Sequence, residues 1–150
     1  MPSTPEDALP DAPDVHGTAA VLGPDFPVPP LHARMGIVVT SATAERAEGT
    51  LPVEGNTQPY GLLHGGASAV LAEGLGSTAA HLHASALGKL AVGVDLNVTH
   101  HRGVRTGVVH GVATAIHLGS SAASYEIVLT DDDGRRVCTG RLTCMLIEAR

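Results

Sequence analysis

One carboxylate stands alone in an otherwise uncharged stretch of the chain. Glu73 is the only Asp, Glu, Lys or Arg between Glu54 and Lys89, and apolar residues at helical spacing around it place it in the middle of a predicted helix. Burying an isolated carboxylate costs several kcal/mol unless it is paired, hydrogen-bonded or protonated. A solvent-exposed glutamate is the ordinary interpretation. We favour a carboxylate held in a low-dielectric site as nucleophile or general base, because its helix face carries only small neighbours: Ala69, Ala72, Gly76 and Ala80.

Polar groups and glycines gather where this helix begins. The sequence His64-Gly65-Gly66 opens the helix, and the first N–H groups of a helix lack internal partners and carry the positive end of its dipole. A glycine there lets a carbonyl oxygen approach closely, as an oxyanion site requires. Glycine at a helix start is also ordinary turn chemistry, and a lone histidine is more often structural. The combination with Gln58 at the same end, and with Ser77 one turn after Glu73, favours a reactive site.

The elements that must position these residues follow from periodicity. The helix is apolar or small on all sides, which predicts a buried helix. Alternating residues predict strands, and Asp132-Asp133-Gly134 is a hairpin turn signal. Pro52 indicates either that its strand lies at a sheet edge or that the strand ends at this residue. We expect strands at 35–39, 49–53, 92–98, 108–118, 123–129 and 137–147, the last three in an antiparallel meander. One buried helix among six short strands predicts an α+β domain in which a curved antiparallel sheet wraps the helix.

Composition narrows the functional classes. The length of 150 residues predicts one domain. With 2% aromatic residues the chain has too few rings to stack on bases, and its net charge of −6 does not suit a phosphate backbone, so we exclude a nucleic-acid binder. Eight of the ten prolines and five acidic residues fall in the first 30 residues, which hold no Lys or Arg. We therefore expect residues 1–32 to be a disordered or loosely attached acidic tail and residues 33–150 to be the folded domain. The tail lacks the basic start and apolar run of a signal peptide, and the predicted helix is too polar for a membrane span.

The two cysteines predict free thiols. Cys138 and Cys144 lie six residues apart in one predicted strand, so their Cα atoms are roughly 20 Å apart, whereas a disulfide needs about 7 Å or less. Free thiols without an export signal favour a cytoplasmic location. The nine histidines show no metal-binding spacing, because His81 and His83 diverge on the helix and neither His-Glu-x-x-His nor Cys-x-x-Cys occurs. We expect no metal.

The segment from Gln58 to Gly66, QPYGLLHGG, with Glu73 nine residues after the histidine, resembles the signature of hotdog-fold thioesterases. The resemblance is to the phenylacetate-pathway, 4-hydroxybenzoyl-CoA and dihydroxynaphthoyl-CoA type and covers about residues 33–148. It implies a hotdog fold and hydrolysis of an acyl-CoA, with coenzyme A as part of the substrate and no further cofactor.

The resemblance also implies residue roles. The Gly65 N–H would polarise the thioester carbonyl, while Gln58 and His64 orient the acyl group. Glu73 would attack the carbonyl or activate water, and Ser77 would hold the water or the acyl group. In this family the acid and the opposing helix start come from different subunits, so we expect an obligate homodimer and a homotetramer as the assembled form.

Contacts to coenzyme A are expected from a loop and a turn. The resemblance places the pantetheine and nucleotide along the segment 99–103 and the turn 119–121, although a basic loop of this kind is also an ordinary solvated surface. His101 stands where relatives often carry an aromatic residue. The expected substrate-binding residues are Asn56, Thr99, His100, Arg102, Gly119, Ser120 and Ser121.

Three alternatives stay open on the sequence. A hotdog dehydratase would abstract a proton beside the thioester carbonyl, and a non-catalytic acyl-CoA-binding protein would bind the same ligand without turnover. The preference for an aromatic acyl group rests on the resemblance, and the scarcity of aromatic side chains leaves medium-chain aliphatic acyl groups open.

Overall fold

A long helix packed against a six-stranded sheet dominates the structure, a computed structural model that describes residues 16–23 and 25–149. The helix contacts all six strands, and the strands form one antiparallel sheet in the order β1-β2-β4-β5-β6-β3. The elements are α1 (His16–Leu22), α2 (Pro30–Met35), β1 (Val38–Ala42), β2 (Arg46–Pro52), α3 (Gly65–Ala86), β3 (Lys89–His100), β4 (Val108–Leu118), β5 (Ala122–Thr130) and β6 (Arg136–Glu148). The predicted α+β architecture, a buried helix against an antiparallel sheet, is confirmed, as is the meander of β4, β5 and β6.

Small residues allow α3 to lie close to the sheet. A Cβ added to Gly76 would lie 2.5 Å from Cδ2 of Leu142 on β6, and one added to Gly111 on β4 would lie 2.6 Å from Cδ1 of Leu75. A glycine inside a helix costs about 1 kcal/mol relative to alanine. The core therefore uses these positions for packing, with Leu71 and Leu75 of α3 fully buried against the sheet.

Strand β1 begins later than its apolar run suggests, and strand β2 begins earlier. Met35 ends α2 instead of opening a strand, because Gly36 adopts a left-handed conformation (φ 72°) that caps the helix. Strand β1 then starts at Val38. Strand β2 starts at Arg46 and ends at Pro52. Of the two alternatives for this proline, a strand end is confirmed and an edge strand is wrong. Strand β2 lies between β1 and β4, and the sheet edges are β1 and β3.

The segment 16–32 differs from the loose tail expected from its composition. Helix α1 packs on β1, where the buried Thr18 hydroxyl accepts a hydrogen bond from the Val39 N–H at 2.9 Å. His32 in α2 is also buried, at 8% exposure. The physical reason is that β1 is an edge strand with backbone groups to satisfy, and a few specific contacts to an already formed body offset the ordering entropy. Residues 1–15 of the expected tail lie outside the described residues.

The remaining features bear on the chemistry that the fold can support. Cys138 and Cys144 are both free and buried on β6. None of the described helices is long and apolar enough to cross a membrane. Within residues 16–23 and 25–149, no group of three or more His, Cys, Asp or Glu side chains could hold a metal ion.

Candidate active site

The start of α3 leaves one backbone donor free. His64 is the N-cap, and its Nδ1 accepts a hydrogen bond from the Gly66 N–H at 2.8 Å. The N–H groups of Ala67 and Ser68 donate to the His64 carbonyl oxygen. No acceptor for the Gly65 N–H is recorded among the described residues. This N–H is therefore available to a ligand oxygen at the positive end of the helix dipole.

A cavity of about 320 Å³ opens at this helix start, and we call it the helix-start cavity. Gln58, Gly65, Ser68, His100 and Arg102 are among its lining residues. A Cβ added to Gly65 would lie 2.7 Å from Nε2 of His100. Glycine at this position thus lets the imidazole of His100 lie against the helix start.

Gln58 lines the helix-start cavity and has a side-chain NH₂ group left over as a donor. Its backbone N–H donates to the Leu62 carbonyl at 2.8 Å, and its side-chain oxygen accepts a hydrogen bond from the Tyr60 N–H. Because the oxygen is occupied within the loop, the NH₂ group remains as the donor for a ligand.

Asn56 holds the loop together and does not line the helix-start cavity. Its side-chain amide donates to the carbonyl oxygens of Met35 at 2.8 Å and Pro52 at 2.9 Å, and its own carbonyl accepts the His64 N–H at 2.9 Å. These hydrogen bonds give Asn56 a positioning role within the chain, and its contact to the substrate stays a prediction. Its side chain links the ends of α2 and β2, and its backbone links both to the start of α3.

Glu73 lies half-buried in the middle of α3. The Ser77 hydroxyl donates to its Oε1 at 3.0 Å, and no ion pair to this carboxylate is recorded in the described part of the chain. Burial, and next the charge of Glu73, raise the pKa of the Cys144 thiol to about 11. Glu73 is thus a carboxylate supported by one hydroxyl and no cation, as the sequence predicts for its own segment.

A second cavity surrounds Glu73. It measures about 340 Å³, and we call it the acid cavity. Gly65 does not line it, and Glu73 does not line the helix-start cavity. The two residues are eight positions apart on one helix, which separates them by about 12 Å along its axis. One chain therefore keeps its carboxylate and its free N–H in separate half-sites. The acid cavity is lined by Pro29, Leu31, His32, Ala69, Val70, Glu73 and Leu96.

The expected coenzyme A contacts fall in three places on one chain. His100 and Arg102 line the helix-start cavity. Thr99 points to the other face of the sheet, as strand alternation requires, and lines a separate cavity of about 430 Å³. The turn Gly119-Ser120-Ser121 lies at the far end of α3, where His83 Nε2 donates to the Gly119 carbonyl at 2.8 Å and Lys89 Nζ donates to the Ser120 carbonyl at 2.7 Å.

Several lining residues escape the sequence reasoning. Leu31 and His32 reach the acid cavity from a proline-rich segment that composition assigns to a tail, and Leu96 reaches it from β3. No spacing signal joins them to Glu73, because about 40 residues of chain separate α2 from the middle of α3. The packing of α2 on α3 brings Leu31 and His32 to Glu73, and the packing of α3 on β3 brings Leu96 there.

Known proteins share both the sequence pattern and the fold. Residues 60–138 match the thioesterase superfamily. The chain is 50% identical over 111 residues to the proofreading thioesterase EntH of Klebsiella pneumoniae, covering 73% of this chain and 80% of that protein. It is 46% identical over 114 residues to the protein of the same name from Cronobacter sakazakii, covering 75% and 82%.

Solved structures agree with these sequence relatives. A mutant thioesterase PA1618 from Pseudomonas aeruginosa superimposes with a TM-score of 0.78 at 37% identity, covering 91% of this chain and 96% of that one. The thioesterase HI1161 from Haemophilus influenzae gives 0.73 at 37% identity, covering 79% and 82%. The chain therefore belongs to the thioesterase superfamily and is a hotdog-fold thioester hydrolase.

Proposed function

We propose that this protein is an acyl-CoA thioesterase whose active site joins Glu73 of one copy to the helix-start cavity of a second. The observation that carries this proposal is the separation of a half-buried, cation-free carboxylate from a free helix-start N–H on the same helix. Donors act on a developing oxyanion at about 2.7–3.1 Å. The roughly 12 Å along one helix cannot meet this requirement, whereas two copies with their helices side by side can.

In this arrangement the thioester carbonyl oxygen accepts the Gly65 N–H, and the NH₂ group of Gln58 orients the acyl group beside it. His64 acts through the cap that fixes the helix start. Ser77 holds Oε1 of Glu73, which leaves Oε2 to attack the carbonyl carbon or to take a proton from an attacking water. Collapse of the tetrahedral intermediate expels coenzyme A as a thiolate. In the general-base route the thiolate takes the proton that Glu73 removed from water. In the nucleophilic route water then cleaves the anhydride formed between the acyl group and Glu73, which releases the carboxylic acid, restores the carboxylate and supplies the proton for the thiolate.

Coenzyme A needs cations and donors beyond the reacting bond. His100 and Arg102 line the same cavity as Gly65 and are proposed to contact the pantetheine and phosphates. Thr99 and the backbone and hydroxyls of Gly119, Ser120 and Ser121 are proposed as further contacts, from whichever copy brings them to the nucleotide.

The same geometry supports a proposal for the assembly. Strand β3 is a sheet edge beside Glu73, and it exposes Leu90, Val92 and Val94 by 44–57%. A second copy seated on this edge would cover these side chains and bring its helix start toward Glu73. A homodimer is the minimum for activity in this proposal, and a homotetramer is the proposed final form. The free thiols Cys138 and Cys144 favour a cytoplasmic location.

An aromatic acyl group is the proposed substrate, with a medium-chain aliphatic acyl group as the alternative. The lining of the acid cavity includes one aromatic ring, that of His32, and otherwise apolar side chains beside Glu73, so both acyl types fit its chemistry. The relatives at 46–50% identity are named proofreading thioesterases. Removal of wrongly formed thioesters is therefore a second candidate role, and it predicts broad tolerance of acyl groups.

A panel of acyl-CoAs with a thiol-detecting readout tests the proposal. Benzoyl-, hydroxybenzoyl-, phenylacetyl-, hexanoyl- and palmitoyl-CoA should be compared for kcat/KM in the parent, Glu73→Gln and Glu73→Ala. Loss of general-base catalysis lowers kcat by about 10²–10⁴-fold while the fold is kept. If both variants match the parent, Glu73 is not the reacting group, and if the parent releases no thiol, the substrate is not an acyl-CoA of this panel.

A further inference from the structure

We infer that residues 29–32, which we call the arm, form a wall of the acyl-binding pocket at Glu73 and select which acyl groups the enzyme hydrolyses. This inference rests on the proposed function. It assigns a role to a segment whose composition indicates a tail.

The acid cavity is built from three parts of the chain. Pro29, Leu31 and His32 come from the arm, Val70 and Glu73 from α3, and Leu96 from β3 (with Ala69 these complete the lining). Apart from Glu73 and His32, every lining side chain is apolar. Arg and Lys are absent from this lining, so it cannot neutralise the phosphates of coenzyme A, which Glu73 would also repel. The chemistry fits the apolar acyl end of the substrate.

The arm is fixed in place by specific packing. His32 is 8% exposed, and a Cβ added to Gly74 would lie 2.5 Å from Cε1 and Nε2 of its ring. Its carbonyl accepts the Ile37 N–H at 2.9 Å, and the Asn56 amide donates to the carbonyl of Met35 at the end of α2. Burial lowers the pKa of His32, so the ring adds no positive charge to the pocket at neutral pH. These contacts hold the arm against α3 at Gly74, the residue that follows Glu73.

Leu31 is the selective side chain of this wall. It lines the acid cavity and yet is 50% exposed, so an acyl group bound beside it would cover apolar surface that the chain leaves open. A volume of about 340 Å³ is near the lower limit of roughly 300–1,000 Å³ for ligand clefts. The pocket therefore suits a single ring or a medium-length chain better than a long chain.

Leu31→Phe and Leu31→Ala test this wall without touching a buried side chain or a reacting group. The matched control is Leu87→Phe, a leucine of 47% exposure that ends α3 at its other end. The ratio of kcat/KM for acetyl-, hexanoyl-, benzoyl- and palmitoyl-CoA is measured with a thiol reagent. One methylene in an apolar pocket changes kcat/KM by about tenfold or more.

We expect Leu31→Phe to lower kcat/KM for benzoyl- and hexanoyl-CoA by about tenfold relative to acetyl-CoA. Leu31→Ala should raise kcat/KM for palmitoyl-CoA relative to hexanoyl-CoA. The control Leu87→Phe should keep the parent ratios of kcat/KM. Parent ratios in both Leu31 variants of an active enzyme overturn the arm's role and leave the proposed function intact. A parent enzyme that releases no thiol from any of the four overturns the proposed function, and this inference with it.

Discussion

Replacing Gly93 with alanine would move the Glu73 carboxylate without removing it. A Cβ built on Gly93 of β3 would lie 3.3 Å from Cδ and 3.5 Å from Oε2 of Glu73, and closer than 3.0 Å to Oε1. Since ordinary contacts begin at 3.4 Å, Oε1 must retreat by about 1 Å. The carboxylate is the free end of a flexible side chain, so it moves while the backbone stays. Oε1 is also the atom that accepts the 3.0 Å hydrogen bond from Ser77, so the retreat disturbs this bond.

The expected magnitude follows from this displacement. A misplacement of about 1 Å in a reacting group costs about 10²-fold in rate, so kcat should fall by that factor. The KM should change less than kcat, because the helix-start cavity is untouched. Gly93 does not have a positive φ, and glycine inside a strand is less stable than alanine by about 0.5–1 kcal/mol. The free energy of unfolding should therefore hold or rise while activity is lost.

Steady-state hydrolysis of an acyl-CoA, thermal unfolding and size-exclusion chromatography separate these effects. Leu87→Ala is the control, since Leu87 is 47% exposed and lies at the far end of α3, away from Glu73 and outside β3. It should keep the parent kcat and the parent oligomeric state. If Gly93→Ala folds, assembles and turns over at the parent rate, then Glu73 is not the reacting carboxylate or the carboxylate does not react from this position.

Three other perturbations probe the site and its surroundings. Glu73→Ala and Gln58→Ala subunits, each inactive alone, should regain about a quarter of the parent activity when they are refolded together. Half of the random dimers are then mixed, and each mixed dimer holds one complete site of its two. No recovery of activity would contradict a shared site. Burial holds the pKa of His32 below 6.5, so the unfolded chain binds a proton that the folded chain does not. The free energy of unfolding, measured by chemical denaturation, should then fall as the pH drops below about 6.5. In His32→Leu this free energy should depend less steeply on pH. Burial raises the pKa of Cys144 to about 11, so an alkylating reagent at pH 8 should label this thiol only after unfolding, as read by mass spectrometry of the peptide.

The sequence predicts the positions of Gln58, Gly65 and Glu73 in the fold better than it predicts the lining of the acid cavity. Gln58, Gly65 and Glu73 lie within 16 residues, and their positions follow from one loop and one helix whose periodicity is a local property. The same holds for the meander, where alternation and a short turn decide the pairing.

Long-range contacts account for what the sequence leaves undetermined. Thr18 satisfies an N–H of Val39 across 21 residues, and Asn56 satisfies the carbonyl of Met35 across another 21. Neither contact leaves a periodic signal. The proline-rich composition of the segment 16–32 indicates a loose tail for the same reason, because its stability comes from a surface that exists only after the sheet has formed.

The small residues around Glu73 give the site its shape. Gly74 makes room for the ring of His32, and Gly93 makes room for the carboxylate itself. Ser77 supplies a hydroxyl that reaches Oε1 from the next turn of α3. Each position could carry alanine at a gain in intrinsic helix or strand stability, and each would then lose a contact to the acid or to the arm. The stability given up at Gly74, Gly93 and Ser77 is therefore the cost of holding one carboxylate in place in a pocket whose lining residues, among those that the structure describes, include no Lys or Arg, and such a carboxylate suits the role proposed for Glu73.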